Sequence, residues 1–387
     1  MQPAGDNTTV VLTGCGLVTS LGLDAANACA AARAGILRAA QRDAYPVRSL
    51  ADGSVSGVVG HAVPLLTDGL EGEARLIRLL QGGLEDLARQ CPDAPWKRKR
   101  TVFYLSAPDL NRLSSGAELV ADEGARQEMR EAAKAVRNAG AGAARFGRLL
   151  GEGARWAKWA GRPELRWCTD SGNTGVAEAI QRASDDLRAG ACELAIVGGV
   201  DSLLDEETLA WLELTGRLKT PNLAAGLQPG EACGFLVFET ASPSSTRAPR
   251  ALTRLETVCL GAEAHPLISG DPPSGVALAE VIHHAATTTT WGRQPPLWLI
   301  HDLNGEAYRA QEWGFALFRL AARSRALAEP RLWLPAASFG DTGAATGAVQ
   351  ACMAFRAFER AYAPACAAGL VSTAPGSARG CFVLQRN

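Results

Sequence analysis

Apolar positions along the chain fall into two rhythms that alternate from one end to the other. Short continuous runs such as Val10-Val11-Leu12-Thr13, Val102-Phe103-Tyr104-Leu105 and Leu194-Ala195-Ile196-Val197 have the length and content of buried strands. Between them lie stretches with helical spacing. Residues 72 to 91 place Leu76, Leu79, Leu80, Leu84 and Leu87 on one face, and Val176, Ile180, Ala183 and Leu187 align on another. A small-residue helix is expected around Asp24 to Ala34, after a strand closed by Gly14-Cys15-Gly16. Gly198-Gly199 should stop the strand that begins at 194, and Pro229-Gly230-Glu231 should introduce the next, Phe235 to Glu239. The later part repeats the alternation: strand (Arg254 to Leu260), helix (Gly275 to Thr287), strand (Leu297 to Ile300) and helix (Glu306 to Arg323). A strand, a glycine turn, a helix (Ala344 to Tyr362) and a final strand pair near Gly369 to Ser372 and Cys381 to Leu384 complete it. The pattern predicts a layered α/β protein with mostly parallel strands.

Two regions depart from the alternation. Residues 115 to 160 are helical and charged without strand signals, and read as an insertion covering one face or as a partner-binding surface. The Ser- and Pro-rich stretch Ser242 to Arg250 is the best linker, dividing the chain into halves at 1–241 and 251–387. A repeated turn supports that division. Gly172-Asn173-Thr174-Gly175-Val176-Ala177 recurs 168 positions later as Gly340-Asp341-Thr342-Gly343-Ala344-Ala345, each copy opening a small-residue helix. Free N–H groups and a positive dipole end make such helix starts natural places for a nucleophile or an anion.

Composition narrows the function. The 387 residues carry 39 basic and 40 acidic side chains, a net charge of −1 that argues for neither nucleic acid nor an anionic membrane surface. The basic run Lys97-Arg98-Lys99-Arg100 precedes a strand and reads as its solvated entry, with an acidic partner or a phosphopantetheine contact as the alternative. Ten cysteines are scattered without metal-ligand spacing, as reduced core residues of a cytosolic protein would be. No signal peptide, transmembrane run or phosphate loop is expected, nor any metal or cofactor.

Four blocks carry a resemblance. VVLTGCGLVTSLG, LRAGACELAIVGGVDS, LQPGEACGFLVFE and GDTGAATGAVQA, in that order, resemble the β-ketoacyl-acyl-carrier-protein synthases of the thiolase-like fold, while residues 40 to 165 match only loosely. The resemblance implies an α/β thiolase-like fold of duplicated, layered α-β-α-β-α halves. It also implies a cysteine nucleophile and two histidines, and here the chain departs from the family. The nucleophile position falls on Asn173, whose amide cannot form an acyl-enzyme. The first histidine position is kept as His301, followed by Asp302-Leu303-Asn304-Gly305, with Glu312 as the block's trailing glutamate. The second falls on Asp341, and the family's lysine five residues earlier falls on Ala336. The family's phenylalanine-glycine gate is replaced by Thr373-Ala374-Pro375-Gly376-Ser377.

Asn173 reads as a local helix cap, or as an acyl-pocket filler or hydrogen-bond donor to a thioester carbonyl, and Asp341 as an N-cap or as the group that orients His301. His301 reads as a core histidine or as a catalyst oriented by Asp341, with Thr174 or Ser171 as a hydroxyl partner in a hydrolase arrangement. Cys168, five residues before Asn173, reads as a buried apolar residue, and His283-His284 as structural. The expectation is a catalytically inactive ketosynthase-like protein acting as a partner subunit. The resemblance implies a homodimer, or a heterodimer with a ketosynthase-like protein in the manner of chain-length factors, with acyl carrier protein as a further partner. Degenerate relatives of this kind also imply an adaptor role in effector delivery, such as type VI secretion. The enzymatic alternative is residual acyltransferase, thioesterase or ketoacyl synthase-type activity on acyl thioesters.

Overall fold

A computed structural model describes residues 9–109, 112–137, 142–241, 253–293 and 297–387. The expected linker, 242–250, lies outside the described residues. The first half contains β1 (Val10–Thr19), α1 (Ala25–Arg33), the hairpin β2 (Ala40–Arg48) and β3 (Val55–Gly60), α2 (Pro64–Thr67) and α3 (Gly72–Gln90). There follow β4 (Thr101–Ser106), α4 (Glu123–Arg137), α5 (Gly142–Trp156), β5 (Leu165–Thr169), α6 (Gly175–Arg188), β6 (Leu194–Ser202), α7 (Glu206–Leu214) and β7 (Glu231–Thr240). The second half contains β8 (Thr253–Ala262), α8 (Val276–Thr288), β9 (Trp298–His301), α9 (Ala307–Arg323) and β10 (Arg331–Trp333). It ends with α10 (Ala336–Phe339), α11 (Thr346–Glu359), β11 (Ala367–Thr373) and β12 (Ala378–Arg386).

Ten strands form one hydrogen-bonded series, β5-β4-β6-β7-β1-β8-β12-β11-β9-β10. In this series the halves meet at β1 and β8, where Val11 and Leu12 pair with Arg254 and Thr253. Within each half the order is the same: third strand, second, fourth, fifth, first. The pairing types repeat as well, two parallel and then two antiparallel. The expectation of mostly parallel strands is thereby corrected. β11 and β12 are joined by a tight turn, which only antiparallel neighbours allow, and β6, β7 and β1 are antiparallel in the same positions.

The apolar stripes sort these elements into layers. α3 and α5 pack on one face of the first half's strands through Leu79, Leu84, Phe146 and Leu150. α8 and α9 cover the second half through Leu278, Ile282, Trp313 and Leu320. Between the two sets of strands lie α6 and α11, whose Val176, Ile180, Val349 and Phe358 enter the central core with residues of both halves. The result is the expected thiolase-like α-β-α-β-α arrangement. The charged segment forms α4 and α5, and α5 buries one face against α3 as an added cover.

Gly198-Gly199 does not end its strand; β6 runs on to Ser202. A side chain at Gly199 would come within 2.8 Å of Ala344 O and 2.9 Å of Ala345 Cα, so the glycine lets the turn before α11 lie directly on the strand. The basic run enters β4 as expected: Lys99 pairs with Glu239, and Arg100 N donates to Glu193 at 2.9 Å. Among the described residues no helix is long and apolar enough to cross a membrane.

Candidate functional site

The two central helices begin side by side, each preceded by a single 3-10 turn, Gly172–Thr174 before α6 and Gly343–Ala345 before α11. The first residue of each turn is a glycine in the left-handed region, with φ of 57° at Gly172 and 51° at Gly343. These equivalent positions lie 171 residues apart, not 168. The repeat in the sequence is therefore out of step with the repeat in the structure. Asn173 sits inside its turn, while Asp341 lies two residues ahead of the corresponding one.

That offset brings the two side chains together. Asn173 is buried, and its Nδ2 donates to Asp341 Oδ1 and to Thr346 Oγ1, each at 3.2 Å. It makes no capping bond to its own helix. Asp341 Oδ1 accepts from Gly343 N at 2.8 Å, satisfying one free donor of the α11 turn, and its Oδ2 accepts from Asn304 Nδ2 at 2.6 Å. Asp341 is thus a local cap and a bridge between halves at once.

The centre of the constellation is Arg309, a residue that motif comparison passed over. It stands on the buried stripe of α9 with Trp313, Ala316 and Leu320. Its Nη2 donates to Asn173 Oδ1 at 3.2 Å and lies 3.9 Å from Asp341 Oδ2. Its Nη1 donates to Asp302 Oδ2 at 2.6 Å and to Thr373 Oγ1 at 2.7 Å, and its Nε to Glu306 Oε2 at 3.1 Å. Glu306 also accepts from Arg217 Nε at 2.6 Å and from Asn304 Nδ2 at 2.8 Å. Two guanidinium groups and three carboxylates therefore share one buried network. Burial alone would raise the Asp302 and Glu306 carboxyls. The guanidinium of Arg309 beside Asp302, and those of Arg217 and Arg309 beside Glu306, hold both below the usual carboxylate range. Burial likewise opposes charge on Arg309, yet Asp302, Asp341 and Glu306 raise its pKa above the ordinary arginine value. A charged residue on the apolar face of the predicted 306–323 helix was the signal that could have found it.

His301 lies at the end of β9, buried and edge-on to Trp313, with ring centroids 4.8 Å apart. Its Nδ1 is 3.3 Å from Asp302 Oδ1 without hydrogen-bond geometry, and among the described residues neither ring nitrogen has a hydrogen-bond partner. It bonds neither Asp341 nor Asn173. Thr174 Oγ1 donates to Ser171 O, and Ser171 Oγ donates to Glu178 at 2.8 Å. The hydroxyl–His301–Asp341 arrangement weighed from sequence is not assembled. Ala336 opens the short α10 and brings no polar side chain. Cys168 is on β5, and burial pushes its thiol up to about 12.

A cavity of about 250 Å³ reaches this centre, lined by Asn173, Asp341, Arg217, Arg112, Trp211 and the Ala374–Ala378 turn among others. That turn, standing where the resemblance places the gate, is fixed from behind by Arg379. Its Nη1 donates to Ala374 O at 2.9 Å and to Gly376 O at 2.7 Å, while its Nε donates to Glu312 at 2.6 Å. On the opposite wall Asp201 accepts from Arg112 Nη1 at 2.8 Å and from Ala344 N at 2.9 Å.

Residues 167–244 match the family described as beta-ketoacyl synthase, N-terminal domain. No curated protein sequence matches the chain. Among solved structures it is similar to the ishigamide ketosynthase/chain length factor, at 17% identity and a TM-score of 0.71 over 98% of this chain and 99% of that one. It is also similar to a structure of the ketosynthase ApeO in complex with its chain length factor ApeC from Xenorhabdus doucetiae, at 18% identity and a TM-score of 0.63 over the whole of both chains. A third is AntDE:AntF, a type II PKS acyl-carrier protein in complex with its ketosynthase bound to the hexaketide, at 14% identity and a TM-score of 0.69 over 98% and 99%. The chain is ketosynthase-like: it has the thiolase-like ketosynthase fold and carries that family's N-terminal pattern over residues 167–244.

Proposed function

We propose that this chain is a non-catalytic, cytosolic ketosynthase-like subunit that works by pairing with an active ketosynthase-type protein, as a chain-length factor does. The observation that carries the reading is the state of Asn173. Both ends of its amide are engaged, Nδ2 by Asp341 and Thr346 and Oδ1 by Arg309, at the position where the resemblance places the acyl-bearing thiol. An amide held in this way is neither a nucleophile nor a proton shuttle. The guanidinium–carboxylate network around it, from Arg309 to Asp302, Glu306 and Arg217, occupies the centre of the site with fixed hydrogen bonds and ion pairs. Solved neighbours that pair a ketosynthase with a chain length factor support a partner of that kind.

Purification of the tagged chain from its native host, with the bound proteins identified, tests the pairing. The expected companion is a ketosynthase-family protein with an intact Cys-His-His set; capture of a secreted effector in its place would move the assignment to effector delivery. Intact-mass measurement after incubation with acyl-carrier-protein thioesters tests the chemistry, and no acyl adduct is expected. Thioester turnover above background that disappears in His301→Ala would replace this reading with a residual acyltransferase or thioesterase.

A further inference from the structure

Among the described residues nothing buries a stripe along α9, from Ala307 to Ala322, whose exposed side chains carry no charge. Inward, the helix packs through Trp313, Ala316 and Leu320. Outward, Phe315 and Phe318 stand 47% and 75% exposed at its centre. Ala307 and Ala310 before them, and Ala321 and Ala322 after them, are exposed too, with Gln311 the one polar side chain among them. An isolated surface phenylalanine needs no explanation, but two on one uncharged stripe do. Gly314 belongs to the same stripe, and nothing lies within 4 Å of where its side chain would stand. Positions 307, 311, 314, 318 and 321 advance by alternate steps of four and three, the spacing of a helix–helix seam.

The stripe reads nearly the same in both directions: small residues, then glycine with two phenylalanines, then small residues again. Two such helices, antiparallel about a two-fold axis, bring Phe318 of each over Gly314 of the other, with alanines facing at both ends. A surface that complements itself is what an isologous contact requires. Charge agrees with this pairing. Arg319 flanks the C-terminal part of the stripe, while the exposed Asp271 shares a surface hollow with Tyr308 and Gln311 at its N-terminal part. Antiparallel docking sets Arg319 of one protomer beside Asp271 of its partner.

We propose that a second copy of this chain docks on α9 through the Phe315–Phe318 stripe. The helix is about 25 Å long at 1.5 Å per residue. One helix pair of that length buries less than the roughly 1,200 Å² of lasting interfaces, so the association is reversible and concentration-dependent. It is independent of the pairing with an active ketosynthase proposed above.

Sedimentation velocity of the purified full chain over a wide concentration range tests it. The wild type should gain mass as concentration rises. Phe318→Asp should raise the dissociation constant by more than about tenfold, the loss expected when a packed aromatic anchor is removed. Leu50→Asp, at another position with 86% exposure, should leave it unchanged. Gly314→Leu should keep or raise the thermal midpoint, because it removes a helix glycine, and still weaken association by filling the hole. Asp271→Arg should weaken it, and Asp271→Arg with Arg319→Asp should restore it. A wild type that stays at one mass throughout, or Phe318→Asp and Gly314→Leu variants that associate normally, would overturn the proposal. Binding of Phe318→Asp to the co-purified ketosynthase is measured separately, so failure of either idea is visible without the other.

Discussion

The two central helix starts are alike in backbone and unlike in chemistry. α6 and α11 are each 14 residues long, each follows a 3-10 turn opened by a left-handed glycine, and each leaves the third strand of its half for the fourth. Yet to the network around Arg309 the first half supplies one neutral amide, Asn173, and Arg217, while its Asp201–Arg112 pair meets the α11 turn separately, at Ala344 N. The second half supplies Arg309, Asp302, Glu306, Asn304 and Asp341. A duplicated scaffold fixes where two helix ends meet and leaves each half free to place different groups there. Charge concentrated on one side makes the second half's loops depend on their neutralisation, while the first half's turn depends chiefly on glycine geometry.

The largest expected break in this comparison is Arg309→Met. It leaves Asp302 and Asp341 buried without their guanidinium and should cost about 3–5 kcal/mol. Urea unfolding should show a lower midpoint with an unchanged slope.

Acid should act through the same residues. Asp302 and Glu306 have folded pKa values below their ordinary 3.8 and 4.5, so the folded state binds their protons more weakly than the unfolded chain. Their stabilisation is complete above about pH 5 and is lost as pH falls through the depressed folded values. Glu312 has the opposite sign, since burial raises its pKa against the partial relief from Arg379, and its protonation on acidification stabilises the fold. Thermal midpoints of the wild type between pH 7 and 3 should fall more steeply than those of Asp302→Asn.

A second contrast concerns two buried ion pairs. Glu231 in the first half accepts from Arg75 Nη1, Val63 N, Thr67 Oγ1 and Ser202 Oγ, whereas Glu312 in the second half accepts from Arg379 and leaves Oε2 without a partner. Glu231→Gln should cost about 2–3 kcal/mol, because charge-assisted bonds are lost and an amide nitrogen meets donors. Glu312→Gln should cost about 1 kcal/mol. Equal losses in denaturant melts would remove the distinction.

Asn173→Ala should cost about 1–2 kcal/mol by leaving the Arg309 and Asp341 contacts short of one partner, read by the same melts. The smallest effect is expected at Cys168, whose thiol stands too high to ionise at pH 8. Iodoacetamide labelling followed by peptide mass spectrometry should find it slower than the Cys of a small peptide.

Much of the fold was legible because burial imposes period. The stripe Val176, Ile180, Ala183 and Leu187 and the leucines of α3 mark helices wherever they pack, and apolar runs mark β4, β6 and β7. The hairpin β2–β3 escaped notice because its residues are mostly exposed and show no alternation. At the candidate site, resemblance led to Asn173, Asp341 and His301, but not to Arg309 as their hub. Linear comparison follows motif positions and does not ask which charges burial forces to meet.

By itself the sequence determined the layered α/β plan and the existence of two like turns. Their register was decided only by the tertiary structure. The letters G-[ND]-T-G match at an interval of 168, but the backbone repeats at 171, because a left-handed glycine must open each 3-10 turn and only Gly172 and Gly343 do so there. Three residues of offset carry Asp341 out of the helix start and across to Asn173. The two residues that resembled equivalent positions are instead hydrogen-bonded partners.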